Sequence, residues 1–407
     1  MNRLPLSDQL PYRFQSPRLV PLCLWFGRIT ARSMLKKPHR IENITIEGES
    51  LVNGLIGGGD GVLLTPNHTD HADSHVMFAL SRAVGLPFYY MAAYQIFQGR
   101  RGWMLPRVGV FPVDREGADL TAFKTAVEIL VKAKNPLVIF PEGEMYHIGD
   151  RVTPLREGAI ALAATAANRL SKTGKSVWIV PVGIKYRYLD PEATAVALHD
   201  LMDELERRLT WWPRRDRTLV DRIYDYAEAM IGLKEFEYLG ETQTGKLPDR
   251  LKSLCEHIVG TIERKRMIGQ NDRRPRESPS VPERVKAIRR HCLDRLAKPE
   301  TTPEEVAEIR RELHDVFVAV QIFSYPGDYV LEKPTVERFA ETLMKFEEDL
   351  LGTPEVEPKG DRRVIVKVGE PIDLGKRLQE FPKLRTAIPA LTSELETRMQ
   401  GLLDAID

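Results

Sequence analysis

Three cysteines in 407 residues, Cys23, Cys255 and Cys292, are too few and too far apart for a disulfide framework or a Cys-x-x-Cys metal site. That usage suits a reducing, cytosolic compartment. One-sided charge is missing as well: 59 Lys and Arg stand against 58 Asp and Glu, and the net charge of +1 excludes the basic surplus of a typical nucleic-acid-binding chain. No apolar run approaches the ~20 residues needed to cross a bilayer. Leu19 to Phe26 is broken by Pro21 and ends at Arg28, while the stretch from Val76 to Phe97 contains Arg82 and Gly85-Leu86-Pro87. The opening residues carry Asp8 and several prolines in place of the basic start and cleavage site of a signal peptide, so export is not expected. No internal repeat is visible.

What is present is an ordinary hydrophobic content of 43%, enough for a sizeable core, in a chain longer than one usual domain. Residues 41–48 alternate as a strand. Short buried runs follow at Leu63-Leu64, Phe88-Tyr89-Tyr90, Val110-Phe111, Leu137 to Phe140 and Trp178-Ile179-Val180, separated by helical spacing over 118–134 and 156–171. This alternation predicts an α/β sandwich with a largely parallel sheet and a site at strand ends. From about 190 to 352 the chain reads as long charged helices, with a flexible connector at 271–282. A strand pattern returns at 364–372, and a last helix is expected over about 384–405.

The most telling stretch is Asn67-His68-Thr69-Asp70-His71-Ala72-Asp73, directly after the strand pattern Gly61 to Pro66. Residues five apart do not share a helix face. His68 is therefore expected on the loop and Asp73 in the first turn of the next helix, where the ring can fold back onto the carboxylate. An imidazole held by a carboxylate can take a proton from a hydroxyl near neutral pH, so the pair reads as a general base and its orienter. Asp70 reads as the helix N-cap. His68, Asp70, His71, Asp73 and His75 also offer metal ligands, but Asp70 and Ala72 break the nearest His-rich pattern and the remaining histidines form no partner motif. No metal is expected.

Three further blocks follow: Gly109-Val110-Phe111-Pro112-Val113-Asp114-Arg115, Phe140-Pro141-Glu142-Gly143-Glu144 and Ile179-Val180-Pro181-Val182-Gly183. Over roughly residues 40 to 188 the chain resembles the phospholipid/glycerol acyltransferase superfamily, which includes the lysophosphatidate acyltransferases. Arg156-Glu157-Gly158-Ala159 is similar to that family's basic-x-Gly-Ala segment. The resemblance implies an O-acyltransferase that moves a fatty acyl group from acyl-CoA or acyl carrier protein to the hydroxyl of a lipid-like acceptor. It implies no acyl-enzyme and no cofactor beyond the thioester co-substrate. It assigns His68 as base, Asp73 as orienter, and Arg115 with the Glu142-Gly143 turn to acceptor binding. The family's third block ends Thr-Arg where this chain has Glu144-Met145, so a cation near an acceptor phosphate is missing. Arg151, Arg156, Lys185 or Arg187 can replace it, or the acceptor has a different headgroup. A thioesterase using the same dyad and a non-catalytic lipid-binding scaffold stand as alternatives.

The late strand also resembles the family's, which makes the helical part an insertion. The expected organisation is an N-terminal helical or interfacial segment (1–40), an acyltransferase core (41–189), a mainly helical insertion (190–360) and a return strand with a C-terminal helix (361–407). Trp25 and Phe26, followed by Arg28, Arg32, Lys36 and Lys37, read either as a peripheral anchor on the cytoplasmic face of a membrane or as a helix covering the core. Trp211 and Trp212, bracketed by Arg207, Arg208, Arg214 and Arg215, offer a second interfacial element or a pair of buried indoles.

Overall fold

The computed structural model describes residues 12–115, 119–268, 280–352 and 356–406. The chain divides into two compact units, Pro11–Ala195 with Glu355–Asp407 in one and Val196–Pro354 in the other. The first begins with α1 (Pro21–His39), β1 (Ile41–Glu47), α2 (Glu49–Gly57), β2 (Gly61–Pro66), α3 (Asp73–Val84) and β3 (Tyr89–Ala93). It continues through α4 (Gly99–Met104), β4 (Val110–Val113), α5 (Leu120–Lys132), β5 (Leu137–Val138), α6 (Gly158–Leu170) and β6 (Val177–Tyr188). Then come the helices α7 (Pro191–Arg208), α8 (Leu219–Leu239), α9 (Leu247–Arg266), α10 (Val281–Leu296), α11 (Pro303–Phe323), α12 (Tyr329–Glu332) and α13 (Val336–Leu351). The chain returns to the first unit as β7 (Arg362–Val368), β8 (Ile372–Asp373), α14 (Leu374–Arg377) and α15 (Leu384–Asp404).

Eight strands form one sheet in the order β1-β7-β6-β2-β5-β3-β4, with β8 on β6. The pairs β1·β7, β6·β2, β2·β5, β5·β3 and β3·β4 are parallel, whereas β7 and β8 run antiparallel to β6. The sheet is thus largely parallel, as the alternating pattern predicts. Its antiparallel part comes from the returning strands, which arrive by a long detour instead of a βα crossover. Alternate side chains sort to opposite faces. Leu63 and Ile179 pack with α5, α6 and α15, while Val62, Leu64 and Val180 pack with α3 and the α2 residue Val52. Helices therefore cover both faces, giving the expected αβα sandwich.

Strand β6 is long enough to serve two neighbours. Its first half runs beside β2, with Pro66 opposite Val182, and its second half runs beside β7, with Tyr186 opposite Val364 and Tyr188 opposite Arg362. The residues that leave β2, from Asn67 at Ile184 to Asp73 at Tyr186, therefore lie beside the second half of β6. That is the crevice at strand ends where α/β sheets place ligands.

In the helical unit, α9, α10 and α11 bury Leu254, Ile258, Ile288, Ile309 and Val316. Its charged helices are held by ion pairs taken out of water. Arg222 is fully buried against Glu206 and Asp203, and Arg250 is bound by Glu235. The two tryptophans have different fates. Trp211 packs edge-on to Tyr226 at 6.2 Å, whereas Trp212 is 87% exposed. The arginines beside them are paired to Asp200, Asp203, Glu204 and Asp225. Most of the connector read at 271–282 lies outside the described residues; its last part opens α10, where the Ser280 N–H donates to Glu283 at 2.9 Å.

Candidate active site

Asn67 leaves the end of β2 and fixes the loop that follows. Its side-chain carbonyl accepts the Ile184 N–H at 2.7 Å and its amide donates to the Ile184 carbonyl at 3.0 Å, so a side chain continues the β2·β6 ladder. His68 comes next, with its side chain 27% exposed and its ring centroid 4.3 Å from that of Phe140, the planes tilted by 31°. Its Nδ1 lies 2.9 Å from Asp73 Oδ2. Asp73 stands at the start of α3, as the five-residue spacing predicts.

The Asp73 carboxylate is fully buried and fully occupied. Oδ2 also accepts the Thr69 and Asp70 N–H groups at 2.7 and 2.9 Å, and Oδ1 accepts the Tyr186 hydroxyl at 2.5 Å. Hydrogen bonds to a charged group contribute about 1.5–3 kcal/mol each, which offsets the cost of burying the anion. Because that oxygen can only accept, the proton shared with His68 belongs on Nδ1. The Nε2 lone pair is left for a proton from elsewhere. Burial and the adjacent Asp73 charge together keep the Tyr186 phenol protonated, well above its ordinary range.

Asp70 departs from the expected N-cap. Ala72 holds that position, and Asp70 Oδ1 instead accepts the Ala72 N–H at 2.8 Å, one step earlier in the turn. Its Oδ2 is free to meet Arg362 of β7 at 2.6 Å. Burial alone would raise the Asp70 carboxyl, but the Arg362 charge and hydrogen bond outweigh it and hold the group well below the usual carboxylate range.

The third block closes over the first. Glu142 is buried; Oε1 accepts the His68 N–H at 2.8 Å, and Oε2 accepts from the N–H and hydroxyl of Thr153. Burial outweighs these bonds and pushes its carboxyl up to about 7. Gly143 follows at φ +74°, where an added Cβ would lie 2.3 Å from the Arg156 Nε, so only glycine lets this guanidinium lie against the turn. Arg115 donates to the Gly143 carbonyl and pairs with Glu144 at 3.1 Å. Arg156 approaches the other Glu144 oxygen at 3.6 Å. The residue that replaces the expected Thr-Arg thus sits between two arginines. Lys185 is buried against Asp150 at 2.8 Å, and Arg187 donates to the Ile406 carbonyl. Of the named substitutes for the missing cation, Arg156 stands beside Glu144, whose other oxygen meets Arg115.

Residues 42–185 match the model of the Acyltransferase family. All four blocks fall inside that segment. This part of the chain is an acyltransferase domain of the phospholipid/glycerol acyltransferase superfamily. A 1-acyl-sn-glycerol-3-phosphate acyltransferase of Streptococcus pneumoniae (strain ATCC BAA-255 / R6) is 30% identical over 110 residues. That alignment spans 27% of this chain and 39% of the relative's own length.

The acyltransferase domain thus brings His68, Asp73, Arg115, Glu142 and Gly143 to one end of the sheet. Sequence reasoning gave Asn67 and Phe140 no role beyond their blocks and missed Thr153, Tyr186 and Arg362. Tyr186 carried a weak signal, a polar-tipped residue in a strand following the Val-Pro-Val block. Arg362 carried none, since 292 residues separate it from Asp70.

Proposed function

We propose that the chain transfers a fatty acyl group from the thioester of coenzyme A or acyl carrier protein to a hydroxyl of a lipid-like acceptor. The observation that carries this reading is the 2.9 Å contact between His68 Nδ1 and a buried Asp73, with the second ring nitrogen left to accept a proton. His68 Nε2 takes the hydroxyl proton as the acceptor oxygen attacks the thioester carbonyl. The tetrahedral species collapses, the carbon–sulfur bond breaks, and the thiolate recovers the proton from the imidazolium. Asp73 supports that cation and keeps the ring aimed. An ester and a free thiol leave, with no acyl-enzyme.

On the acceptor side, Arg115, Glu144, Arg156 and the Glu142-Gly143 turn form the wall. A phosphate would compete with Glu144 for both guanidinium groups, so the preferred acceptor has a headgroup other than glycerol 3-phosphate. The same occupancy favours a second reading, a thioesterase in which water takes the acceptor's place. Mass spectrometry of products from an acyl thioester and a mixed acceptor panel separates the two. Acyl ester supports transfer; free fatty acid alone supports hydrolysis.

No helix among the described residues is long and apolar enough to cross a membrane. Helix α1 instead turns Ala31 and Leu35 inward and leaves Leu22, Trp25, Phe26 and Ile29 exposed. These four recur at helical spacing on one face, continued by Lys36 and flanked by Arg32. Such a stripe suits an interfacial helix on an anionic bilayer, with the domain docked peripherally at the cytoplasmic face. Trp25→Ala with Phe26→Ala should weaken sedimentation with anionic vesicles severalfold while sparing turnover of soluble, short-chain substrates. Unchanged sedimentation would leave α1 as a covering helix only.

A further inference from the structure

We propose that Arg362, together with Tyr186, positions the His68–Asp73 dyad for acyl transfer. Neither residue belongs to the four sequence blocks, and both lie outside the 42–185 match. The inference rests on the transfer reading above.

Arg362 is 4% exposed and holds three partners. One nitrogen donates to Asp70 at 2.6 Å, two others donate to the His39 carbonyl at 2.8 and 3.3 Å, and the guanidinium carbon stands 4.6 Å from the Tyr186 ring centroid. Two consequences follow for Asp73. The bond to Asp70 fixes the turn whose Thr69 and Asp70 N–H groups hold Asp73 Oδ2. The cation over the Tyr186 ring draws electron density from it, which makes the hydroxyl a stronger donor to Asp73 Oδ1. Both Asp73 oxygens thus owe their anchors to one side chain delivered by β7. A loop bearing the base would otherwise be tied to the sheet by Asn67 and Glu142, neither of which touches Asp73 in the hydrogen-bond network described above.

No atom of Arg362 meets the His68 ring in these contacts, so its effect is on geometry. An imidazole whose Nδ1–H is held by Asp73 presents Nε2 as the acceptor; a ring released from it reverts toward the Nε2–H tautomer that free histidine favours. That change removes the lone pair the reaction needs.

The test uses the full chain with three substitutions: Arg362→Met, Tyr186→Phe and, as a control on the same strand, the exposed Arg363→Met. Two quantities are read: kcat and KM for acyl transfer, and the tautomer of His68 by ¹⁵N NMR above neutral pH. We expect Arg362→Met and Tyr186→Phe to lower kcat on the order of 10–100-fold with little change in KM, since a small misplacement far from the reacting atoms costs this much. The His68 Nδ1–H signal should give way in both, and the control should match the wild type. Tyr186→Phe removes one oxygen and keeps the ring, so it carries the test if Arg362→Met fails to fold. Wild-type kcat in folded Tyr186→Phe, or a lowered kcat with the tautomer intact, overturns the inference. A wild type that shows no transfer at all would instead sink the function reading, and the tautomer measurement would still decide whether Arg362 and Tyr186 hold the ring.

Discussion

The two ends of the candidate site are built on opposite plans. At the His68 end the carboxylate is sealed in and every bond to it is short, from Thr69, Asp70, Tyr186 and His68 itself. At the Arg115 end the side chains of Arg115 and Arg156 are about one-third exposed and share a single carboxylate, Glu144. A fixed constellation suits a proton transfer that must occur in one geometry, whereas half-exposed, exchangeable ion pairs suit recognition of a headgroup that enters and leaves. Glu142 joins the two, bonded to the His68 N–H and one residue from Gly143.

The largest effects are expected at the sealed end. His68→Ala should lower transfer on the order of 10²–10⁴-fold, the usual worth of general-base help, with the fold intact because the ring is partly exposed. Near-wild-type turnover in a folded variant would remove His68 from the reaction. Asp73→Asn comes next. Its amide cannot accept from all four donors, so kcat should fall steeply and, because the site is buried, thermal stability should fall too. A variant as active as the parent would mean that the carboxylate only caps α3.

The sequence made the His68–Asp73 pair legible and hid the residues that support it. His68 and Asp73 could be placed because a strand, a loop and a helix start follow from residues within one short stretch, and helix geometry then brings the ring to the carboxylate. The α/β alternation and the return strand were legible for the same reason, being local apolar runs and helical spacings of three and four. Asp70 was misread as a cap because its partner, Arg362, arrives from β7. Tyr186 carried too little signal to be read as a dyad contact, because the extension of β6 beyond β2 depends on pairing with β7. Trp211 and Trp212 look alike in sequence, and only the presence of Tyr226 separates a packed indole from an exposed one.

Smaller effects test the exchangeable end. Glu144→Thr frees Arg115 and Arg156, so KM for a phosphate-bearing acceptor should drop on the order of fivefold, which corresponds to about 1 kcal/mol of half-exposed charge pairing. Unchanged relative use of phosphate and non-phosphate acceptors would mean that Glu144 does not gate this wall. The bridge between the ends is probed by pH. Burial pushes Glu142 up to about 7, above its ordinary 4.5, so the folded state binds that proton more tightly than the unfolded chain. Its contribution is fully present below 4.5 and is lost as pH rises toward 7. Glu142→Gln does not titrate there, so the Tm advantage of the wild type over this variant should shrink between pH 5 and pH 8. An advantage independent of pH would show that the carboxyl is ionised throughout.

The most direct test follows thiol release and ester formation together, in one reaction with an acyl thioester and a hydroxyl-bearing lipid acceptor, for the wild type and His68→Ala. We expect one thiol for each ester with the wild type, no thioester hydrolysis beyond background, and neither product above background with the variant. Thiol released with free fatty acid in place of ester, or equal ester yields from both proteins, would contradict acyl transfer driven by the His68–Asp73 pair.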